Sequence, residues 1–165
     1  DMTVNIASNE GFGLGTAESL MAGTPILVNI TGGLQDQCGF KKEDGSYLTK
    51  EDYSTNWGSN HDGRYKECGE WAYPVFPSNR SIQGSLPTPY IFDDRCRFDD
   101  AGQAMKEWYD MGPEKRAKCG MKGHEFVMGD ESMMSAKSMS QNFIDQMDTG
   151  FSNWKPRKRF SIFKA

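Results

Sequence analysis

The stretch from Thr3 to Gly33, TVNIASNEGFGLGTAESLMAGTPILVNITGG, decides the predicted fold. Residues 3–8 read as a short buried strand, and apolar residues then recur on one face of a predicted helix over 12–22. Gly23 can end that helix in the left-handed conformation, and the apolar run 26–30 predicts a strand covered on both faces. A strand, a helix and a strand joined by tight turns form a βαβ unit, whose two strands pair in parallel.

The rest of the chain predicts one long polar excursion followed by helices. Residues 41–70 are rich in charged residues, Gly, Ser and Asn, which favours a polar insertion or long loop within the domain. Residues 71–76 are apolar, but Pro74 limits them to an edge strand or to no strand at all. The remaining elements are a loop over 77–87, a short strand over 89–92, a helix over 101–111 capped by Asp99 or Asp100, a helix over 113–128 with Pro113 in its first turn, and a helix over 131–147 capped by Asp130.

These elements define the expected fold class. We predict an α/β fold with a Rossmann-like parallel sheet, flanking helices and a helical C-terminal part, in a single partial domain over residues 1–165.

Composition excludes several functional classes. The net charge of -4 and the pI near 5.2 disfavour nucleic-acid binding. No stretch approaches the roughly 20 apolar residues of a membrane span. The four cysteines include no CxxC pair, and neither His61 nor His124 has a partner at metal-ligand spacing, so no metal site is predicted. We expect free thiols in a cytoplasmic protein, with two disulfides as the alternative.

The segment from Glu10 to Glu18 carries the chemistry. Three glycines, Gly11, Gly13 and Gly15, crowd the turn between the first strand and the first helix. Glycine lets the backbone approach a ligand closely, and the N–H groups at a helix N-terminus favour a phosphate. A diphosphate over this turn, with one of the carboxylates Glu10 and Glu18 near a sugar and the other near a ribose, would suit a nucleotide-diphosphate sugar. The alternative is a tight connection without a ligand, since the spacing is not the dinucleotide pattern G-x-G-x-x-G.

A family resemblance favours the first interpretation. Glu10-Gly-Phe-Gly-Leu, Glu18, Gly23-Thr-Pro and Gly32-Gly33 resemble the signature of group 1 glycosyltransferases, which are retaining enzymes of the two-domain GT-B type. The resemblance is strong over residues 4–37 and weaker over 89–127, and the tail through Trp154 resembles the family's last helix, which packs back toward the acceptor domain. It implies a partial GT-B C-terminal domain, which binds the nucleotide-sugar donor for retaining hexosyl transfer, without a cofactor or a divalent metal.

The resemblance also implies a role for each matching residue. Glu10 matches the catalytic Glu near the reacting sugar carbon, and Glu18 matches the Glu that holds the ribose hydroxyls. A loop whose N–H groups face the sugar and phosphates is matched by Gly11, Phe12, Gly13 and Leu14, and the hydroxyl of Thr16 could add a contact. Gly32 and Gly33 match a loop near the donor, although a simple turn is an equal interpretation.

Departures from the family pattern limit what this chain can do alone. The acceptor domain, and the Arg and Lys that clamp the diphosphate in the family, have no counterpart in the 165 residues. We therefore expect a chain that begins near the fourth strand of its sheet and that is inactive without a partner chain or a missing domain. The alternatives are a non-catalytic nucleotide-sugar-binding or assembly module, and a fragment of a sugar-nucleotide epimerase.

A missing neighbour strand also predicts self-association. If residues 3–8 form a strand without its normal partner, its unpaired N–H and C=O groups invite another chain. We expect a homodimer, or an aggregation-prone monomer, through this strand or the face of the first helix.

Overall fold

A three-stranded parallel sheet forms the centre of the molecule. The computed structural model describes residues 1–49, 52, 61 and 63–157, apart from the side chain of Thr88. Strands β1 (Thr3–Asn5), β2 (Ile26–Asn29) and β3 (Ala72–Val75) pair in the order β1-β2-β3, with Val4 opposite Leu27 and Val28 opposite Pro74. The predicted parallel βαβ unit is therefore confirmed. β1 is shorter than the predicted strand over 3–8, because residues 6–9 leave the sheet to form the connection to the first helix.

Helices cover both faces of this sheet. Their bounds are α1 Leu14–Met21, α2 Leu34–Gln37, α3 Phe98–Asp110, α4 Pro113–Met128 and α5 Ala136–Asn153. On one face Ile26 and Val28 pack with Leu20 of α1, and on the other Leu27 packs with Ala104 of α3. Alternate residues of β2 therefore enter two separate cores, as expected for a strand covered on both faces. This mixed α/β architecture agrees with the Rossmann-like class.

Glycines let α4 pack closely against the βαβ unit. A Cβ on Gly120 would lie 1.9 Å from the carbonyl oxygen of Gly23, and one on Gly123 would lie 2.7 Å from Cδ2 of Leu20. No side chain fits at such distances, so α4 rests almost directly on the end of α1. The predicted bounds of α4 are confirmed, with Pro113 in its first turn.

The predicted loop over 77–87 is wrong. Residues Asn79–Ser85 form β4, which pairs antiparallel with β5 (Thr88–Arg95), so that Ile82 lies opposite Phe92. The sequence predicts a loop there because Gly84 and Pro87 are residues that commonly occur in loops. Here Gly84 accompanies a bulge between Gln83 and Ser85, and Pro87 lies in the two-residue turn of the hairpin. Of the two alternatives predicted for Pro74, the edge strand is the one observed, since β3 pairs only with β2 within the described residues.

Two predicted helix caps are also wrong. Ser135, not Asp130, caps α5, and its hydroxyl oxygen accepts a hydrogen bond from the N–H of Ser138 at 3.2 Å. Residues 131 and 132 form a turn, and residues 133 and 134 have no regular structure, so none of the four belongs to the first turn of α5. α3 begins three residues earlier than the predicted 101, so Asp99 and Asp100 lie inside its first turn. Their negative charges interact favourably with the helix dipole there, but neither residue caps the helix.

The polar excursion is irregular where the structure describes it. Lys41 and Tyr47 form an isolated bridge, and Gly69 N–H donates to the carbonyl oxygen of Cys38 at 2.8 Å. The part of the prediction that covers residues 50, 51, 53–60 and 62 lies outside the described residues. His61 is buried among the rings of Phe40, Tyr65 and Phe76.

All four cysteines are free thiols, as predicted. Burial raises the pKa of Cys38 well above its usual range and raises the pKa of Cys68 to about 11. Among the described residues, no helix has the length and the apolar character needed to cross a membrane.

Candidate functional site

The turn between β1 and α1 leaves backbone N–H groups open to solvent. Gly13, with φ of 83°, is the N-cap residue of α1, and no side chain caps the helix there. The N–H groups of Thr16 and Ala17 donate to the carbonyl oxygen of Gly13 at 3.2 and 3.1 Å. Leu14 and Gly15 precede these two residues, so their N–H groups have no acceptor within the helix, and both residues are exposed. This helix end can therefore receive a negatively charged group.

The three glycines of the turn fall into two kinds. Gly13 is held on all sides, because a Cβ there would lie 2.5 Å from Cδ2 of Leu34 and 2.9 Å from Oγ1 of Thr16. Gly11 and Gly15 have no atom within 4 Å of the corresponding position. Gly13 is therefore required by the fold, whereas Gly11 and Gly15 leave empty space on the solvent side of the turn.

The Gly32–Gly33 loop packs against this turn. Gly33 N–H donates to the carbonyl oxygen of Gly11 at 2.7 Å. A Cβ on Gly32 would lie 1.8 Å from the carbonyl oxygen of Glu10, and one on Gly33 would lie 2.8 Å from the Cα of Phe12. The two glycines allow two loops to meet backbone to backbone at the carboxyl end of the sheet.

Gln37 braces the turn from inside, a role that sequence reasoning missed. Its buried Nε2 donates to the carbonyl oxygens of Phe12 and Gly13 at 2.6 and 3.0 Å. The indole N–H of Trp71 donates to the backbone carbonyl of Gln37 at 2.9 Å, which ties this brace to the core. One indication of this role was present in the sequence. Gln37 lies between Leu34 and Cys38, which are both buried, so its amide is on the inner side of α2.

The two carboxylates of the predicted site have different surroundings. Glu10 is partly buried, and its carboxylate accepts hydrogen bonds from Asn5 Nδ2 at 3.4 Å and from Gly11 N–H at 3.1 Å. Glu18 is exposed on α1, and no hydrogen bond or ion pair within the described part of the chain holds its carboxylate. Glu10 is thus pre-positioned beside the turn, whereas Glu18 keeps both oxygens available.

Phe12 and Thr16 occupy opposite environments. Thr16 is 1% exposed, and its hydroxyl donates to the carbonyl oxygen of Gly13 at 2.8 Å. The structure therefore gives this hydroxyl a bracing role inside the turn, away from solvent. Phe12 is 43% exposed, and its side chain lines a cavity beside α2.

The base of the β4–β5 hairpin lies close to the same edge of the sheet. The buried carboxylate of Asp94 receives hydrogen bonds from Arg80 Nε at 2.8 Å and from Thr31 Oγ1 at 3.0 Å. Asn29 Nδ2 donates to the backbone carbonyls of Ala7 and Asp94 at 2.9 and 2.8 Å. Arg80 is therefore a cation near the carboxyl end of β2, but it is already paired. Within the described residues, no Lys or Arg forms a hydrogen bond or ion pair with residues 10–15.

Comparison with known proteins does not assign a function to this site. No family model matches the chain, and no curated protein matches its sequence. The case for a function therefore rests on the turn, the two carboxylates and the sequence resemblance.

Proposed function

We propose that the chain is the donor-binding part of a retaining GT-B glycosyltransferase and that it binds a nucleotide-diphosphate sugar at the turn between β1 and α1. The observation that carries the proposal is the uncapped N-terminus of α1, with open space at Gly11 and Gly15. A diphosphate is the chemical group that this helix end would stabilise best. Glu10 and Glu18 lie on either side of it along the chain, in the pattern of group 1 glycosyltransferases.

The proposed roles follow from the surroundings of each group. The N–H groups of Leu14 and Gly15 would donate to phosphate oxygens, and the unengaged carboxylate of Glu18 would accept hydrogen bonds from ribose hydroxyls. Glu10, held by Asn5, would face the donor sugar. Transfer passes through an oxocarbenium-like state while charge builds on the departing phosphate, so stabilisation of that charge is the main catalytic requirement.

A non-catalytic binding module is the second candidate, and one observation favours it. The described residues bring no unpaired cation to the turn, whereas the departing diphosphate needs positive charge. Loss of a single well-placed donor to a developing charge typically slows an enzyme by about 10² to 10³. We therefore expect the 165-residue chain to bind nucleotide-sugars with little or no transfer. Transfer at a rate usual for whole enzymes would contradict that expectation.

Calorimetric titration with UDP, GDP and ADP and with their glucose conjugates tests the proposal. Gly15→Ala should weaken binding of the preferred nucleotide about tenfold, because the added methyl group enters the space over the helix end. Gly102→Ala is the matched control, since Gly102 also lies in a helix and also has no atom within 4 Å of a Cβ. Equal affinity of the two variants, or no binding of any of the six ligands, would show that no nucleotide binds at the turn between β1 and α1.

Variants of Glu10 and Glu18 test which end of the ligand each carboxylate binds. Glu18→Ala should weaken both the nucleoside diphosphate and the nucleotide-sugar, because a charge-assisted hydrogen bond contributes roughly 1.5–3 kcal/mol. Glu10→Ala should weaken only the nucleotide-sugar and leave the affinity for the bare nucleotide unchanged. If Glu18→Ala leaves the affinity for the nucleoside diphosphate unchanged, Glu18 does not belong to the site.

A further inference from the structure

One face of the β4–β5 hairpin carries exposed aromatic residues. Arg80 lies opposite Asp94, and Ile82 lies opposite Phe92. In an antiparallel pair, side chains that lie opposite each other, or two positions apart along a strand, point to the same face. Tyr90 therefore shares this face, which we call the hairpin face and which consists of these five residues.

The two aromatic rings of the hairpin face are open to solvent. Tyr90 is 76% exposed and Phe92 is 43% exposed. The ring of Tyr90 lies against the neighbouring strand, where a Cβ on Gly84 would be only 2.6 Å from its Cδ1. Glycine at this position therefore leaves room for the ring beside β4. Both rings offer flat apolar surface to a ligand.

Arg80 adds hydrogen-bond donors beside these rings. Its Nε donates to Asp94 Oδ1 at 2.8 Å, and its Cζ lies 5.5 Å from the ring centroid of Phe92. Its Nη groups form no hydrogen bond with the part of the chain that the structure describes, and its side chain is 33% exposed. Because the carboxylate of Asp94 balances the charge of the guanidinium, these N–H groups suit a neutral oxygen, such as a hydroxyl, better than an anion.

The base of the hairpin places this face next to Glu10. Asp94 N–H donates to the carbonyl oxygen of Ser8 at 2.7 Å, and Asn9 Nδ2 donates to the carbonyl oxygen of Phe92 at 3.0 Å. Ser8 and Asn9 directly precede Glu10 in the chain. The hairpin face therefore begins at the end of the proposed site where the donor sugar would lie, and an acceptor must approach the same end.

We propose that the hairpin face binds the acceptor of the proposed transferase and that this acceptor is a carbohydrate. The inference rests on the proposed function, since it assigns the acceptor to the same site. A sugar ring has C–H groups on its faces and hydroxyl groups at its rim. The C–H groups would pack on Tyr90 and Phe92, and the hydroxyl groups would accept hydrogen bonds from the Nη groups of Arg80.

Titration of the full chain with disaccharides tests the proposal. Maltose, cellobiose, lactose and mannobiose are added to the ¹⁵N-labelled chain, and the amide signals of Tyr90 and Phe92 and the Nε signal of Arg80 are followed. We expect at least one disaccharide to shift these signals, with a dissociation constant on the order of 1–10 mM. No shift with any of the four at the highest soluble concentration would overturn the proposal.

Variants of two tyrosines show whether the sugar lies on the hairpin face. Tyr90→Ala should weaken binding of the disaccharide about tenfold, because it removes the more exposed of the two rings. Tyr109→Ala is the matched control, since Tyr109 lies on α3 and is 78% exposed, and it should leave binding unchanged. Equal affinity of the two variants would place the sugar elsewhere. If Tyr90→Ala instead abolishes self-association in sedimentation and no disaccharide binds, a second copy covers the hairpin face and the proposal is wrong.

Nucleotide titrations distinguish failure of this inference from failure of the proposed function. Tyr90→Ala should leave the affinities for UDP and UDP-glucose unchanged. If it weakens binding of UDP-glucose but not of UDP, the donor sugar occupies the hairpin face, and the acceptor assignment is wrong. If nucleotides bind and disaccharides do not, only the inference fails. If no nucleotide binds, the proposed function fails, and the acceptor role fails with it.

Discussion

The glycine turn and the β4–β5 hairpin meet at the same edge of the sheet, but they are held in different ways. The turn is braced by backbone contacts with Gly32 and Gly33 and by the buried amide of Gln37. The hairpin is anchored at its base through Asp94, and beyond that base its apolar side chains, such as Ile82 and Tyr90, are exposed. A turn fixed on several sides can hold N–H groups toward a ligand without reorganisation. An anchored hairpin with an exposed outer part is suited to contact another molecule.

The largest expected effect comes from forcing the two loops at the turn apart. Gly32→Ala should lower the free energy of unfolding by about 3–5 kcal/mol, because its methyl group would overlap the carbonyl oxygen of Glu10 and its φ of 50° disfavours a side chain. Gly45→Ala provides the control, since Gly45 also has a positive φ but has no atom within 4 Å of a Cβ. Urea denaturation should show a loss of only about 1–2 kcal/mol for the control. Equal losses would mean that the loops do not meet as described.

The next effect concerns the anchor of the hairpin. Asp94→Ala should lower the free energy of unfolding by about 2–3 kcal/mol, because it leaves Arg80 and the Thr31 hydroxyl without their buried acceptor. Hydrogen exchange should also become faster for the amides of β4 and β5 than for those of β2. Asp99→Ala is the comparison, because Asp99 and its partner Arg97 are both exposed and their ion pair is screened by solvent. A hairpin that keeps its protection in Asp94→Ala must be held by other contacts.

A smaller effect is expected for the internal brace of the turn. Gln37→Met keeps the length of the side chain but removes both donors to the carbonyl oxygens of Phe12 and Gly13. We expect a loss of about 1–3 kcal/mol in unfolding free energy, the usual result of leaving buried acceptors unsatisfied. Gln103→Met, on the exposed surface of α3, should change it by less than about 0.5 kcal/mol. If the two variants have the same stability, Gln37 does not brace the turn.

The contrast between the two regions also explains what the sequence could predict. The βαβ unit and α4 were predictable because their signals are local: a period of apolar residues, a glycine at Gly23 and a proline at Pro113. The positions of Glu10, Glu18 and the open glycines followed from the same local pattern. The hairpin was missed because its strand pairing overrides the loop preference of Gly84 and Pro87.

The contacts that brace the site could not be predicted from local sequence patterns. Gln37 and Phe12 are 25 positions apart in the chain, and Thr31 and Asp94 are 63 apart. Nothing in the spacing of the residues joins these pairs, because only the folded sheet brings them together. The buried hydroxyl of Thr16 is a similar case, since its exposure depends on how Leu34 and Gln37 close over the turn.

The smallest effect on stability is expected for α5, which has no buried residue. Met139, Phe143, Met147 and Phe151 recur every fourth position, so they form one exposed apolar stripe along this helix. Phe143→Gln removes no contact with the core, and at low protein concentration it should change the free energy of unfolding by less than about 0.5 kcal/mol. Phe126→Gln, at the ring stacked on Trp71, should lower it by about 3 kcal/mol.

Sedimentation of the same variants would show which exposed surface joins two chains. β1 pairs only with β2 in the described sheet, and Val4 and Ile6 are about 40% exposed, so the predicted dimer through this strand keeps a structural basis. Val4→Thr should then weaken self-association at high concentration more than Phe143→Gln does, because it lowers the apolar area beside the unpaired strand edge. If Phe143→Gln alone yields a monomer, the stripe on α5 is the contact surface. If the unmodified chain stays monomeric at high concentration, neither surface joins two copies, and the prediction of a dimer is wrong.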